Sequence, residues 1–194
     1  HNASLADIFQ CWNGRFFESI SLKDIGLVVQ LGHQPSEHCS APSAAPRSFV
    51  VLHTNGFHPV NLQFCQCNCL ETAGTWVQQL LRYELYPATL DDPTTCCTFC
   101  ALETFHLLTL QSKLMTYDYY ITLTKLTDCV GIGQRYDRLK SFLHMVREWR
   151  HLQLLKRAGR GHDSEGVNAT RPGKLCTRFP ACPQPGVNLP ENWD

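Results

Sequence analysis

A chain of 194 residues, 43% hydrophobic and 18% charged, has the size for one or two domains and the composition of an ordinary globular protein. Its formal net charge is zero, and no run of 18 or more apolar residues offers a transmembrane helix, so no membrane partner is expected. The opening "HNASLADIFQ" lacks the basic and apolar regions of a signal peptide and carries no initiator Met, so the chain reads as an excised piece of something longer.

Taken in order, "SLKDIGLVVQLGH" (21–33) opens with a Ser-x-x-Asp near-capping box and runs into an apolar stretch ending at Gly32. Residues 34–48, rich in Pro, Ser and Ala, read as a loop. "FVVLH" and "FHPVNLQF" flank Asn55-Gly56, a tight-hairpin signal, and Pro59 places the second strand at an edge or bulge. After Cys69 the period becomes helical: Trp76, Leu80 and Tyr83 fit one stripe, which Pro87 is expected to stop. "PTTCCTFCALETFHLLTLQSKL" (93–114) reads as a second helix and "YDYYITLTKLTD" (117–128) as a third. Tyr136, Leu139, Leu143, Val146, Trp149 and Leu152 mark a long amphipathic helix over roughly 134–157. The Gly-rich 157–174 is a loop, and the proline-rich tail has no regular structure.

Eleven cysteines are many, and the odd count argues against a secreted disulfide framework. Cys65-x-Cys67 and adjacent Cys96-Cys97 are too tight for easy bridges, so the chain reads as intracellular and reduced. The sequons at Asn2 and Asn168 are then chance matches. A zinc site needs four converging Cys or His ligands. Cys65 and Cys67 at the end of the hairpin supply two, and His33-x5-Cys39 flanks the loop that feeds it. Cys69, His38 and His58 stand as substitutes, and packing of buried thiols as small hydrophobes is the competing explanation. Cys96, Cys97 and Cys100 near a helix start read as packing before a reactive thiol or second metal site. His106 reads as a satisfied core residue, and Cys11, Cys129, Cys176 and Cys182 find no convincing pairing, with Cys176-x5-Cys182 a weak second candidate. There is no G-x-S-x-G, P-loop or H-E-x-x-H, and no nucleophile–base pair that a thiol hydrolase or redox enzyme would need.

Charge is uneven. Between Arg135 and Arg160 stand eight Lys or Arg against Asp137 and Glu148, so that window is +6 and the rest of the chain −6. Such a run is either the solvated face of a core helix or a phosphate-contacting face formed by Arg147, Arg150, Lys156, Arg157 and Arg160.

Four stretches together, "WNGRFFESISLKDIGLVVQLGH" (12–33), "NGFHPVNLQFCQC" (55–67), "YDRLKSFLHMVREWRHLQLLKRAGRGHD" (136–163) and "PACPQPGVNLPENW" (180–193), resemble the Cys-x-Cys cluster region of fungal Kyakuja–Dileera–Zisupton (KDZ) transposases. The resemblance implies a zinc-chelating module lying N-terminal to an RNase-H-like catalytic domain. It assigns the cluster to His33, Cys39, Cys65 and Cys67 and leaves Cys69, Cys96, Cys97 and Cys100 out. It also implies that the first catalytic aspartate lies beyond "NLPENW". The chain departs from the family at Phe179, where a cysteine partner for Cys182 is usual, and upstream, where His1 is the last trace of a further cluster.

The expected architecture is α+β: a small zinc-stapled β-hairpin unit over about 12–69, a mainly helical unit over about 70–157 and an irregular tail, with boundaries at 1–69, 70–160 and 161–194. The expected function is a non-enzymatic, structural-zinc, DNA-binding accessory module of a nuclear KDZ-type transposase. Its partners are DNA and the catalytic domain of the same parent, with no small-molecule substrate. The alternative is a zinc-stabilised protein-interaction module that orders the transposase assembly.

Overall fold

The structure, a computed structural model, describes residues 9–33, 37–67, 73–129, 131, 137–171, 173, 175, 183 and 189. Expectations that fall on Tyr136, Cys69, Cys176, Phe179, Cys182 and His1 lie outside them. The chain opens with β1 (Phe9–Trp12) and β2 (Phe17–Ile20), an antiparallel ribbon pairing Trp12 with Phe17. Its turn is tied by Asn13 Oδ1, which accepts from the Arg15 and Phe16 N–H groups at 3.0 Å each. The Ser21-x-x-Asp24 box forms, with Ser21 Oγ donating to Asp24 Oδ2 at 2.6 Å and accepting from the Asp24 N–H at 3.2 Å. It closes one turn and starts no helix, because Gly26 turns left-handed at φ 84° and the β-branched pair after it enters β3 (Val28–Gln30).

After β4 (Pro42–Ala44) come β5 (Val50–His53), β6 (Gly56–Pro59) and β7 (Asn61–Cys65). The hairpin forms one residue earlier than its Asn-Gly signal suggests: His53 pairs with Gly56, and Thr54 and Asn55 hold the tip. The continuous strand expected over 57–64 is split. Pro59 has no N–H to donate, and the Val60 N–H turns to Phe49 O at 3.2 Å. β6 therefore edges one sheet, as Pro59 requires, while β7 becomes the middle of another, flanked by parallel β3 and antiparallel β4.

α1 (Trp76–Arg82) carries a complete capping box between Thr75 and Gln78. It ends before Pro87, with Glu84 at φ 57°, and Pro87 sits in edge strand β8 (Leu85–Pro87). The second helix starts later than expected, because Thr95–Thr98 form strand β9, parallel to β5 and antiparallel to β8. "TCCT" is buried on both faces, where β-branched and thiol side chains fit a central strand better than a helix's exposed first turn. α2 (Phe99–Ser112) begins with Thr98 as cap, its Oγ1 accepting from the Ala101 N–H at 3.2 Å. α3 (Thr116–Thr127) and α4 (Leu139–Arg157) complete the helices described. The stripe of α4 is rotated from the expected one: Phe142, Met145 and Val146 are buried, whereas Leu152 is 45% exposed.

The fold is α+β. β5 divides its core, since Val50 and Leu52 pack toward α2, α3 and Phe142 while Phe49 and Val51 pack toward Leu31, Phe64 and Leu80. β9 repeats the alternation with Cys97 on the first side and Cys96 on the second. The chain divides into two compact units at Trp149–Arg150, and the four-stranded sheet β6-β5-β9-β8 draws strands from both sides of residue 70.

Candidate metal centre

β7 ends at Cys65, and the chain turns at once so that Cys67 returns toward it, with Sγ–Sγ 3.1 Å. Cys65 and Cys67 do not share a strand face, because strand geometry stops at Cys65. β3 runs beside β7 and delivers His33 just past its end, where Nε2 lies 3.1 Å from Cys65 Sγ and 3.4 Å from Cys67 Sγ. Cys39 stands just before β4 on the other side of β7. The ligand atoms of His33, Cys39, Cys65 and Cys67 all lie within 4.8 Å of one another, and Cys65 and Cys67 are buried while Cys39 packs against them.

Zinc bound by three sulfurs at about 2.3 Å and one nitrogen at about 2.0 Å has tetrahedral edges of roughly 3.5–3.8 Å. The spacings of 3.1, 3.1 and 3.4 Å are somewhat shorter than those edges and the whole set lies within 4.8 Å, and one imidazole with three thiols is a donor set that zinc favours. The residues fit a metal, and together they can hold one with four protein ligands. The surroundings act in opposite directions on two of the thiols. The Ala41 and Gln66 backbone groups hydrogen-bond Cys39, and that of Cys67 bonds Cys65. Burial works to raise the Cys39 thiol, but its backbone and side-chain partners outweigh that and bring it down. At Cys65 burial dominates, aided by the neighbouring thiols, and lifts it to about 12. His33 turns its other nitrogen, Nδ1, to Glu37 Oε2 at 3.6 Å, the arrangement that orients a ligating imidazole.

Two residues that hold the centre carry no recognisable motif. Gln79 on α1 is 1% exposed. It accepts from the Cys65 N–H at 2.9 Å and donates to Cys65 O at 3.0 Å and to Gly74 O at 3.1 Å. It thereby replaces the sheet bonds that β7 loses at its end. Gly32 has φ 83°, and a Cβ there would lie 2.6 Å from Cys65 Cβ. A buried glutamine on the helix after the cysteines, or a glycine beside a histidine, has no sequence signature until the chain is folded.

The two described substitutes lie elsewhere. His58 bonds Asn55 Oδ1 at 2.7 Å, and neither it nor exposed His38 belongs to the cluster. Cys96 and Cys97, on opposite faces of β9, are buried packing thiols, and Cys100 is exposed. All eight described cysteines are free. His106 departs from its expectation, since both ring nitrogens are buried with no hydrogen-bond partner. Among the basic residues, Arg147, Lys156 and Arg157 are exposed and Arg150 is half-buried. Arg150 and Arg157, two turns apart, share a stripe that Lys156 leaves. Arg160 is half-buried and paired to Asp163 at 2.7 Å, so its charge is already balanced.

A family model described as "CxC2 like cysteine cluster associated with KDZ transposases" matches residues 22–131, more than half of the chain and all four candidate ligands. No curated protein and no solved structure matches the chain.

Proposed function

The chain belongs to the CxC2-like cysteine cluster family associated with KDZ transposases, and from that premise we propose that it is a zinc-stapled accessory module that holds DNA for such a transposase and does no chemistry itself. The observation that carries the reading is the convergence of His33, Cys39, Cys65 and Cys67 inside the matched region. With four protein ligands no coordination position is left for a reactive water, so bound zinc supplies folding free energy. The described cysteines, all free, support a reducing compartment, and a DNA-handling role puts it in the nucleus.

Support for DNA contact comes from the basic face of α4. Arg147, Lys156 and Arg157 present unburied cations, and Arg150 lies on the stripe with Arg157. Arg160, three residues past the helix, contributes less, because contact with phosphate must compete with Asp163. The catalytic domain of the parent transposase is the natural protein partner. The zero net charge and exposed Leu107, Leu110 and Tyr117 favour the second reading, a module that orders the assembly by protein contacts alone.

Titration of a labelled duplex with the zinc-loaded chain at several salt concentrations separates the two. Contact with Z phosphates gives a log–log slope of about −0.9Z. A slope of several units, reduced by Arg150→Ala with Arg157→Ala, is the expected result. A folded, zinc-replete chain that binds no duplex at low salt transfers the assignment to protein interaction.

A further inference from the structure

The ribbon β1–β2 exposes what a folded protein normally hides. Trp12 is 55% exposed, Phe16 59% and Phe17 65%, all within the tip "WNGRFF". The ribbon pairs with no other strand among the described residues. The tip is nonetheless built: Asn13 Oδ1 ties two backbone N–H groups, and the Trp12 and Phe17 rings lie 5.2 Å apart at 57°. Strand alternation sorts the side chains. Trp12 and Phe17 form a cross-strand pair, and Gln10 and Ser19 form the next pair on the same face. Cys11 and Glu18 pair on the opposite face, so the one acidic side chain of the ribbon points away from the aromatics. Arg15 stands exposed at the tip beside Phe16.

We propose that this ribbon is a stacking element for unpaired DNA bases, with Trp12 and Phe17 as the platform, Gln10 and Ser19 as hydrogen-bonding flanks and Arg15 as the phosphate contact. The inference rests on the proposed DNA-binding role and extends it from duplex backbone to unstacked bases. Aromatic faces attract bases of any sequence, provided the base has a free π-face. Bases inside a duplex have none, whereas nicked, melted or flipped positions do. With Glu18 on the far face, the ribbon sets no carboxylate beside the rings to repel a phosphate drawn to Arg15.

The test is fluorescence anisotropy of labelled oligothymidine and of a labelled duplex, each titrated with the zinc-loaded full chain. Trp12→Ala and Phe17→Ala should each weaken single-strand binding by roughly 5- to 150-fold, the span that one base–aromatic stack covers. Duplex binding should change less than about twofold, and Trp12→Phe should keep most of the single-strand affinity. Single-strand affinity unchanged in the double alanine variant, with duplex binding intact, overturns the ribbon's role and leaves the α4 reading standing. Equal loss on both probes also overturns it. A wild-type chain that binds neither probe removes both readings together. A measurement independent of substitution is ultraviolet crosslinking of the wild-type chain to an iodouracil-containing single strand. The crosslinked peptide should map within residues 9–20, and mapping to α4 alone overturns the proposal.

Discussion

A single methyl group at residue 32 should disturb the four-ligand cluster. Alanine there faces a left-handed backbone angle and a contact of 2.6 Å with Cys65 Cβ, and the two together cost about 1–3 kcal/mol. Gly32→Ala is expected to lower both the urea midpoint and the zinc content of the purified chain. Cys65→Ser and Cys67→Ser should lower zinc content and thermal stability as well, and wild-type zinc in both would remove the assignment. Gln79→Leu probes a different part of the same centre. It leaves the buried Cys65 N–H and carbonyl without partners, at about 1–3 kcal/mol for each group that water cannot reach. At this scale the clustering of His33, Cys39, Cys65 and Cys67 was readable, because Cys-x-Cys after a hairpin and His-x5-Cys before it are local patterns. Gln79 and Gly32 were not, since each matters only through the part of Cys65 that folding brings against it.

Elements show the same division. The Asn-Gly hairpin, α1 and α3 arise from turn chemistry and helical period, and Pro59 marks its own edge strand. β9 left no such mark, because "TTCCTFCALETF" is apolar enough for a helix and only its burial on both faces makes Thr95–Thr98 a strand. The start of α4, at Leu139 rather than near 134, left no local mark either. β9 also carries a pH response. His53 on β5 shares a 2.8 Å hydrogen bond with Thr98 Oγ1, and burial lowers its pKa below the usual 6.5. A base with a depressed folded pKa binds fewer protons folded than unfolded, so its contribution is intact above about 6.5 and declines as pH falls through that value toward the folded pKa. Urea midpoints measured between pH 7.5 and 5.5 should therefore fall, and less so in His53→Gln. Parallel slopes in the two proteins would show that other groups set the acid response.

For the molecule as a whole, the proposed metal makes chelation the perturbation expected to act most on the first unit. His33 and Cys39 reach Cys65 and Cys67 from opposite flanks of β7, so a chelator should loosen β3, β4 and the loop between them before it reaches the helices. Hydrogen exchange after chelation is expected to rise first over residues 28–67, and uniform loss across the chain would indicate a single cooperative unit. The α+β class was readable from the alternation of periods. The two parallel pairings, β3 with β7 and β5 with β9, were not, because parallel register depends on the whole path between the strands and leaves no local mark. That second pairing has a consequence for synthesis. Val50, Val51 and Leu52 are fully sheltered only when Thr95 to Cys97 arrive beside them, forty-odd residues later in the chain. Until then the nascent polypeptide holds a β-rich apolar edge with nothing to pair against. A product that stops short of Thr98 should be aggregation-prone, however well its metal ligands are preserved.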